Sequence, residues 1–336
     1  MSLTVCVTGT SGFIAAHLAR RLKDEGHRVV ACDIRKNPYL DESEYCDEFR
    51  VADLRVIREC VDAVAGCDRV FHLPTNVKHA TVADGMLDAL LMGINVVEAS
   101  RRSTTVRRFL LGSTTDVYVP GVQSPVETDA WAIPGRPTSV AALAVEEFVT
   151  ACAAEDSNID FRIARMHGVY GPMDDSTNLG TFLSKKKKDV PVFGASTYLY
   201  VDDCVDALVR VMDFDIDDHA VFNVTGTDFV AADEIAPEDH PTIEDPNPMP
   251  SATRAMKALN WQPKIHFDEG IELARAWAET EFTEPAPAMP PMPVRGSVGD
   301  AAAVAGRLSI MAAMSVLQFS ASVVGTVRET LRKKIA

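Results

Sequence analysis

Gly9, Gly12 and Ala15 follow one another at three-residue spacing in "VTGTSGFIAA", between an apolar run and a helical pattern. That spacing suits a dinucleotide. Gly9 permits a tight turn, Gly12 lets the backbone approach a pyrophosphate, and the small Ala15 lets helix and strand pack closely. Backbone N–H groups of Ser11, Gly12, Phe13 and Ile14 at the helix start would hold the phosphates. Asp33 ends the next apolar run, about 20 residues further on, where a carboxylate can bond the ribose hydroxyls of NAD. It would repel a 2′-phosphate, which favours NAD over its phosphorylated form, while Arg35 beside it pulls the other way. A tight strand–helix turn with no ligand is the bland alternative.

The elements that must position these residues are legible around them. Leu3 to Thr8 reads as a buried parallel strand. The next stretch reads as a helix with Ile14, Leu18, Ala19 and Leu22 on one face, ending at Lys23–Glu25 before Gly26. "HRVVACD", "DRVFHL", "VRRFLLGST" and "DFRIARMHGVYGP" read as further strands, with helices in "LDALLMGINVVEASRRS" and "VEEFVTACAAE". Strands alternating with helices predict an α/β fold with a Rossmann-like, doubly wound parallel sheet. Beyond Gly171 the pattern loosens. "YLYVDDCVDALVRVMD" is a strand entering a helix, and "TRAMKALNWQPKIHFDEGIELARAWAE" is a short helix, a turn and a final helix. The acidic, proline-rich "DFVAADEIAPEDHPTIEDPNPMP" reads as a loop. The four lysines of "LSKKKKD" read as a solvated helix end. The expected domain is 1–282, with a small C-terminal α/β lobe built mainly from about 172–200 and 228–282.

With "VTGTSGFIAAHLARRLKDEGHRVVACD", "CDEFRVADLR", "STTDVYVP", "RMHGVYGP", "YVDDCVDAL" and "LNWQPKIHFDEGI", the chain resembles the extended short-chain dehydrogenase/reductases. Within them it is similar to the NAD-dependent nucleotide-sugar epimerases and dehydratases, and most fully to the GDP-mannose 3,5-epimerases. The resemblance runs from Leu3 to Ala278. It implies NAD on the Gly9/Gly12 turn, Asp33 on the adenosine ribose, Asp53 and Leu54 beside the adenine, and Leu73 in the cofactor-binding set.

It also implies a Tyr-x-x-x-Lys pair with a Ser or Thr, and here the chain departs. The Tyr phenol, ordinarily near pKa ~10, has to exchange a proton near neutrality. A lysine four residues later shares its helix face, lowers that pKa and bonds the nicotinamide ribose. "LAVEEF" matches the family helix that follows the pair, and counting back puts Thr138 at the Tyr position and Ala142 at the Lys position. Four residues after Tyr39, Tyr45, Tyr118, Tyr170, Tyr198 and Tyr200 stand Ser43, Phe49, Val122, Asp174, Asp202 and Cys204, none of them lysine. Thr114 keeps the family-compatible hydroxyl, and Asp116 stands where a 3,5-epimerase has a cysteine. Ser196 and Thr197 occupy the region of one diphosphate arginine, and "PNPMPSA" replaces the other.

These losses predict a catalytically silent protein that serves as an accessory or structural subunit of a membrane-bound complex of respiratory or photosynthetic type. Its partners would be membrane-complex subunits, a small-molecule substrate is disfavoured, and the missing lysine weakens the hold on NAD. The alternative is an NAD-dependent nucleotide-sugar epimerase with altered catalytic residues, Asp116 serving as a carboxylate base.

The membrane expectation comes from the C-terminal end. A proline-rich linker at 283–300 leads to a helix at 301–336, whose uncharged stretch Leu308–Val327 has the length of a bilayer core. "RETLRKK" favours a C-terminal end on the cytoplasmic-like side, while the segment's late position favours keeping the large domain there. A net charge of −15 argues against a nucleic-acid partner, because phosphate binding needs a basic surface. Seven dispersed cysteines, with no C-x-x-C pair, point to buried reduced thiols, a reducing compartment (organelle matrix, stroma or cytoplasm) and no metal.

Overall fold

The first apolar run forms β1 (Thr4–Thr8), and the chain turns at Gly9 into α1 (Phe13–Asp24). Phe13, Ala16 and Leu18 are among the residues α1 buries, the one-sided pattern of a helix laid on a sheet. Gly26 has a φ of +84°, a left-handed helix exit that a Cβ would strain. β2 (Arg28–Asp33) returns parallel to β1, pairing Thr4 with Arg28 through Thr8 with Cys32. Then come α2 (Glu42–Tyr45), β3 (Glu48–Val51), α3 (Ile57–Val64), β4 (Arg69–His72), α4 (Val82–Arg102), β5 (Arg108–Thr114), α5 (Pro137–Glu155) and β6 (Asp160–Met166). The chain continues through β7 (Val169–Tyr170), α6 (Asn178–Leu183), β8 (Val192–Phe193), β9 (Ala195–Tyr200), α7 (Val201–Asp213) and β10 (Ala220–Val224).

The structure is a computed structural model. It describes residues 2–280 except 74–81, 130–136, 156–157, 176, 185–189, 194, 216–219, 237–239 and 246–248, with no side-chain description at 137–138. The lysine run, the linker at 283–300 and the apolar stretch 308–327 lie outside the described residues. The chain divides into the units Met1–Ala288 and Met289–Ala336, and the second is wholly outside them.

Seven strands form one sheet in the order β10-β6-β5-β4-β1-β2-β3, every pair parallel. The order reverses between β1 and β4. In such sheets ligands bind outside the carboxyl ends of the strands at this switch point. The strands are apolar along both faces because helices cover both: Val7, Ala31, Phe71 and Leu110 on one face, and Cys6, Val30, Val70 and Phe109 on the other, are all nearly or fully buried.

The stretch read as one acidic loop instead contains regular elements. It holds β11 (Asp228–Ala231), α8 (Ala232–Ile235) and β12 (Thr242–Ile243). Two small sheets result, β11-β9-β7 and β12-β8. β11 runs antiparallel to β9 and β12 parallel to β8, so these strands take their order from distant partners rather than from local pattern. α9 (Thr253–Ala258) and α10 (Phe267–Thr280) complete the described chain. Asp203, buried at the start of α7, accepts the amides of Lys264 and Ile265 at 2.8 Å each and fixes the turn between them.

Candidate functional site

The strand-to-helix turn is formed as a phosphate cradle. Gly9 has φ +82°, which only glycine adopts freely. Its amide donates to the Cys32 carbonyl, and the Gly12 amide donates back to the Gly9 carbonyl, each at 2.9 Å. Gly12 is the N-cap of α1 with no side-chain cap, and the helix's first turn carries no acidic residue. The amides at Phe13 and Ile14 thus open the positive end of a helix to an anion.

Asp33 sits at the end of β2 and is buried. Its carboxylate accepts from the Ser11 amide at 2.9 Å, the Ile34 amide at 2.7 Å and the Arg35 amide at 3.4 Å. Burial raises its pKa, partly offset by the bonds from Ser11. The acid is therefore fixed against the glycine turn, beside where an adenosine ribose would lie; Arg35 is exposed.

Asp53, just beyond β3, is gripped by Arg55 through Nε at 3.0 Å and Nη2 at 2.9 Å, and Arg55 also reaches Asp88 on α4 at 2.9 Å. Burial would raise the Asp53 carboxyl, but Arg55 outweighs it and holds it below the usual range. Asn95 Nδ2 donates to the carbonyls of Leu54 at 3.1 Å and Arg55 at 2.8 Å. Leu54 and Leu73 are buried, and a Cβ at Gly112 would come 2.4 Å from Leu73 Cδ2. An ionised acceptor beside a fixed apolar surface suits the amino edge and face of an adenine. The turn, Asp33 and the Asp53–Leu54 segment fit NAD.

At the end of β5 a short 3-10 turn, Thr115–Val117, follows Thr114. Thr114 Oγ1 accepts the Asp116 amide at 3.2 Å, leaving the hydroxyl proton for another acceptor. Thr114 and Asp116 are half-buried, while Thr115 between them is fully buried. α5 passes over this strand end. Glu146, on its buried face, bonds Ser113 on β5 and Arg165 on β6. Ala142 is one turn before Glu146, and Thr138 a further turn, so helical periodicity puts these backbone positions toward the same face. Thr138 and Ala142 thus stand one helical turn apart on α5, the spacing of a Tyr-x-x-x-Lys pair.

No described tyrosine near the strand ends is tuned to replace it. Burial pushes up the phenols of Tyr118, Tyr170 and Tyr198, and Tyr200 to about 12, opposite to what a base near neutrality needs. Tyr118 is moreover committed, donating to Asn223 Oδ1 at 2.7 Å and accepting from Arg165 Nη1 at 2.9 Å.

Several polar groups here escaped the sequence reasoning. His167 follows β6, with Nδ1 2.8 Å from Thr115 Oγ1 and Nε2 3.1 Å from Ser196 Oγ on β9. Ser196 Oγ in turn donates to the Asp245 carboxylate at 2.5 Å. The available signal was a histidine beside Arg165 at the end of a largely apolar strand, in "RMHGVYGP". Its bonds to Ser196 and Thr115 span 29 and 52 residues, and that of Ser196 to Asp245 spans 49.

The model of the NAD dependent epimerase/dehydratase family matches residues 5–225, and the chain belongs to that family. It is similar to the GDP-mannose 3,5-epimerase of Arabidopsis thaliana, 28% identical over 331 residues, covering 84% of this chain and 83% of that enzyme. UDP-glucuronic acid decarboxylase 4 of the same plant is 27% identical over 307 residues, covering 81% of this chain and 67% of that protein. Among solved structures, the UDP-glucose 4-epimerase of Thermus thermophilus in complex with NAD superposes with a TM-score of 0.70 at 24% identity, over 83% of this chain and 100% of that one. The UDP-glucuronic acid 4-epimerase of Bacillus cereus gives 0.69 at 19%, over the same shares. These two likenesses establish the fold.

Proposed function

We propose that the protein binds NAD and a nucleotide sugar, and oxidises and re-reduces one carbinol of the sugar with Thr114 and Asp116 at the reacting carbon. The supporting observation is a hydroxyl and a carboxylate on one turn at the end of β5, in a sheet whose first turn is shaped for a dinucleotide. Bound NAD supplies hydride uptake and return. Thr114 holds the sugar oxygen, and the Asp116 carboxylate takes the proton of that hydroxyl as the C–H electron pair leaves. Asp116 would give the proton back to the sugar oxygen that Thr114 holds when the carbinol re-forms.

The test is to quantify nucleotide released from purified protein and to follow GDP-mannose, UDP-glucose and UDP-glucuronate by NMR. Asp116→Asn is expected to keep NAD and to lose about 10²-fold or more in turnover. Turnover that survives this change overturns the role of Asp116.

A second reading, binding without turnover, is favoured by Thr138 and Ala142 at the positions that the resemblance assigns to Tyr and Lys. In that form the domain is an accessory subunit carried on a membrane complex by 308–327. Among the described residues no helix is long and apolar enough to cross a membrane, so the membrane part of this reading rests on the sequence of 308–327 alone. Migration of the chain within a large assembly on a native gel of mildly solubilised membranes supports it. Recovery only as a monomer or dimer without membrane excludes it.

A further inference from the structure

We infer that His167 is a positioning residue for the Thr114–Asp116 turn, held in place by Ser196 and Asp245. The inference rests on the proposed role of that turn. The four polar groups form one chain of contacts: Thr115 Oγ1 to His167 Nδ1 at 2.8 Å, His167 Nε2 to Ser196 Oγ at 3.1 Å, and Ser196 Oγ to Asp245 Oδ2 at 2.5 Å. All four residues are buried, between 0% and 8% exposed. Polar groups this deep destabilise the fold unless every one is satisfied, which makes such a chain rigid.

The direction of the chain follows from its end. An ionised carboxylate only accepts, so Ser196 must donate to Asp245. The Ser196 oxygen is then the acceptor for His167 Nε2–H, and His167 Nδ1 is left to accept the Thr115 hydroxyl. His167 Nε2 is also 3.4 Å from Asp245 Oδ2, which favours the same tautomer. Each donor points toward Asp245, and Thr115 is drawn inward at the far end.

That pull decides which residues of the turn are left accessible. With Thr115 fully buried, Thr114 and Asp116 on either side remain half-buried. The backbone holds the chain in register. The His167 amide donates to the Val224 carbonyl, and the Leu199 amide to the Gly168 carbonyl, each at 3.0 Å. Gly168 has φ +58°, and a Cβ there would lie 2.1 Å from the Thr197 carbonyl oxygen. This glycine is what lets the loop bring His167 within reach of Ser196. The strand β9 and the segment after β12 thus set the geometry of a turn on the main sheet.

Hydrogen exchange of the full chain, read by mass spectrometry, tests this without requiring turnover. Ser196→Ala is expected to speed exchange at Asp116, Val117 and Tyr118 about tenfold, the equivalent of one net hydrogen bond, with β1 and β2 unchanged. Ser196→Thr, which keeps the hydroxyl, should restore slow exchange. With a turned-over sugar in hand, Ser196→Ala should lower kcat while leaving KM and NAD content unchanged, and Ser196→Thr should rescue kcat. Unchanged exchange in the turn, or equal loss in the alanine and threonine variants, overturns the inference. Wild-type protein that turns over no sugar defeats the proposed function instead, and the exchange result still decides the placing of the turn.

Discussion

Glu146 on α5 meets Arg165 on β6 with Nη2 2.7 Å from Oε2, both side chains no more than 2% exposed. The Arg165 Nε lies 3.1 Å from each carboxylate oxygen, and the guanidinium stacks over the Tyr118 ring, 4.9 Å from its centroid. The pair bolts the helix carrying positions 138 and 142 to the strand ends. Removing one partner leaves a buried charge uncompensated, which costs roughly 3–5 kcal/mol. Glu146→Ala should therefore lower the urea midpoint sharply, whereas Glu146→Leu combined with Arg165→Met should recover most of the loss. A single variant as stable as the wild type would show that the pair does not hold α5.

Because Glu146 fixes the register of α5, position 142 is the place to restore a cation. Ala142→Lys should put an ammonium one helical turn before Glu146, where the family resemblance puts the lysine that bonds the nicotinamide ribose. A charge-assisted bond contributes about 1.5–3 kcal/mol, so NAD affinity, measured by quenching of tryptophan fluorescence, should rise roughly tenfold or more. Thr138→Tyr added to it should raise sugar turnover above the wild type. Unaltered NAD affinity in Ala142→Lys would mean that α5 does not overlie the nicotinamide as the family register requires.

The dinucleotide half of the site could be read from sequence because its signals are local. Gly9, Gly12 and Asp33 belong to one strand–helix–strand unit, and their turn and hydrogen bonds arise within it. All seven cysteines, expected as buried thiols, are buried and free. The second half was illegible because its order is non-local. Phe229 pairs with Thr197 and Thr242 with Val192, so an acidic, proline-rich stretch without periodicity gains strands from neighbours that no window contains. Arg165, Glu146, His167 and Asp245 gave the same difficulty. A charge inside an apolar strand or helix marks a buried partner without saying which residue it is.

Acid should weaken the fold through His72. Its Nδ1 is 2.8 Å from Thr8 Oγ1, and its fully buried Nε2 has no hydrogen-bond partner among the described residues. Burial pushes the imidazole down to about 4, below its ordinary value in the unfolded chain. Between those values the unfolded chain binds the extra proton, so stability is complete above about pH 6.5 and declines as pH falls toward the folded value, by up to about 1.4 kcal/mol per unit. Urea unfolding at pH 7.5, 6 and 5 should show this slope, and His72→Asn should be flatter by that amount. Parallel slopes in the two proteins would show that His72 does not titrate with unfolding.

The contact of α4 with α5 gives a prediction whose sign should reverse with context. Gly93 lies within α4 and is buried, and a Cβ there would stand 2.7 Å from both Cγ atoms of Val145. Alanine in a helix is ordinarily better than glycine by about 0.8–1 kcal/mol. Here the facing side chain is β-branched and cannot swing aside easily, so overpacking, typically about 1–3 kcal/mol, should win. Gly93→Ala is expected to destabilise the wild type. In a Val145→Ala background the methyls are gone, helix propensity prevails, and the same change should stabilise. Denaturant titrations of the four proteins give the coupling directly. An identical effect of Gly93→Ala in both backgrounds would mean the helices do not approach at this glycine.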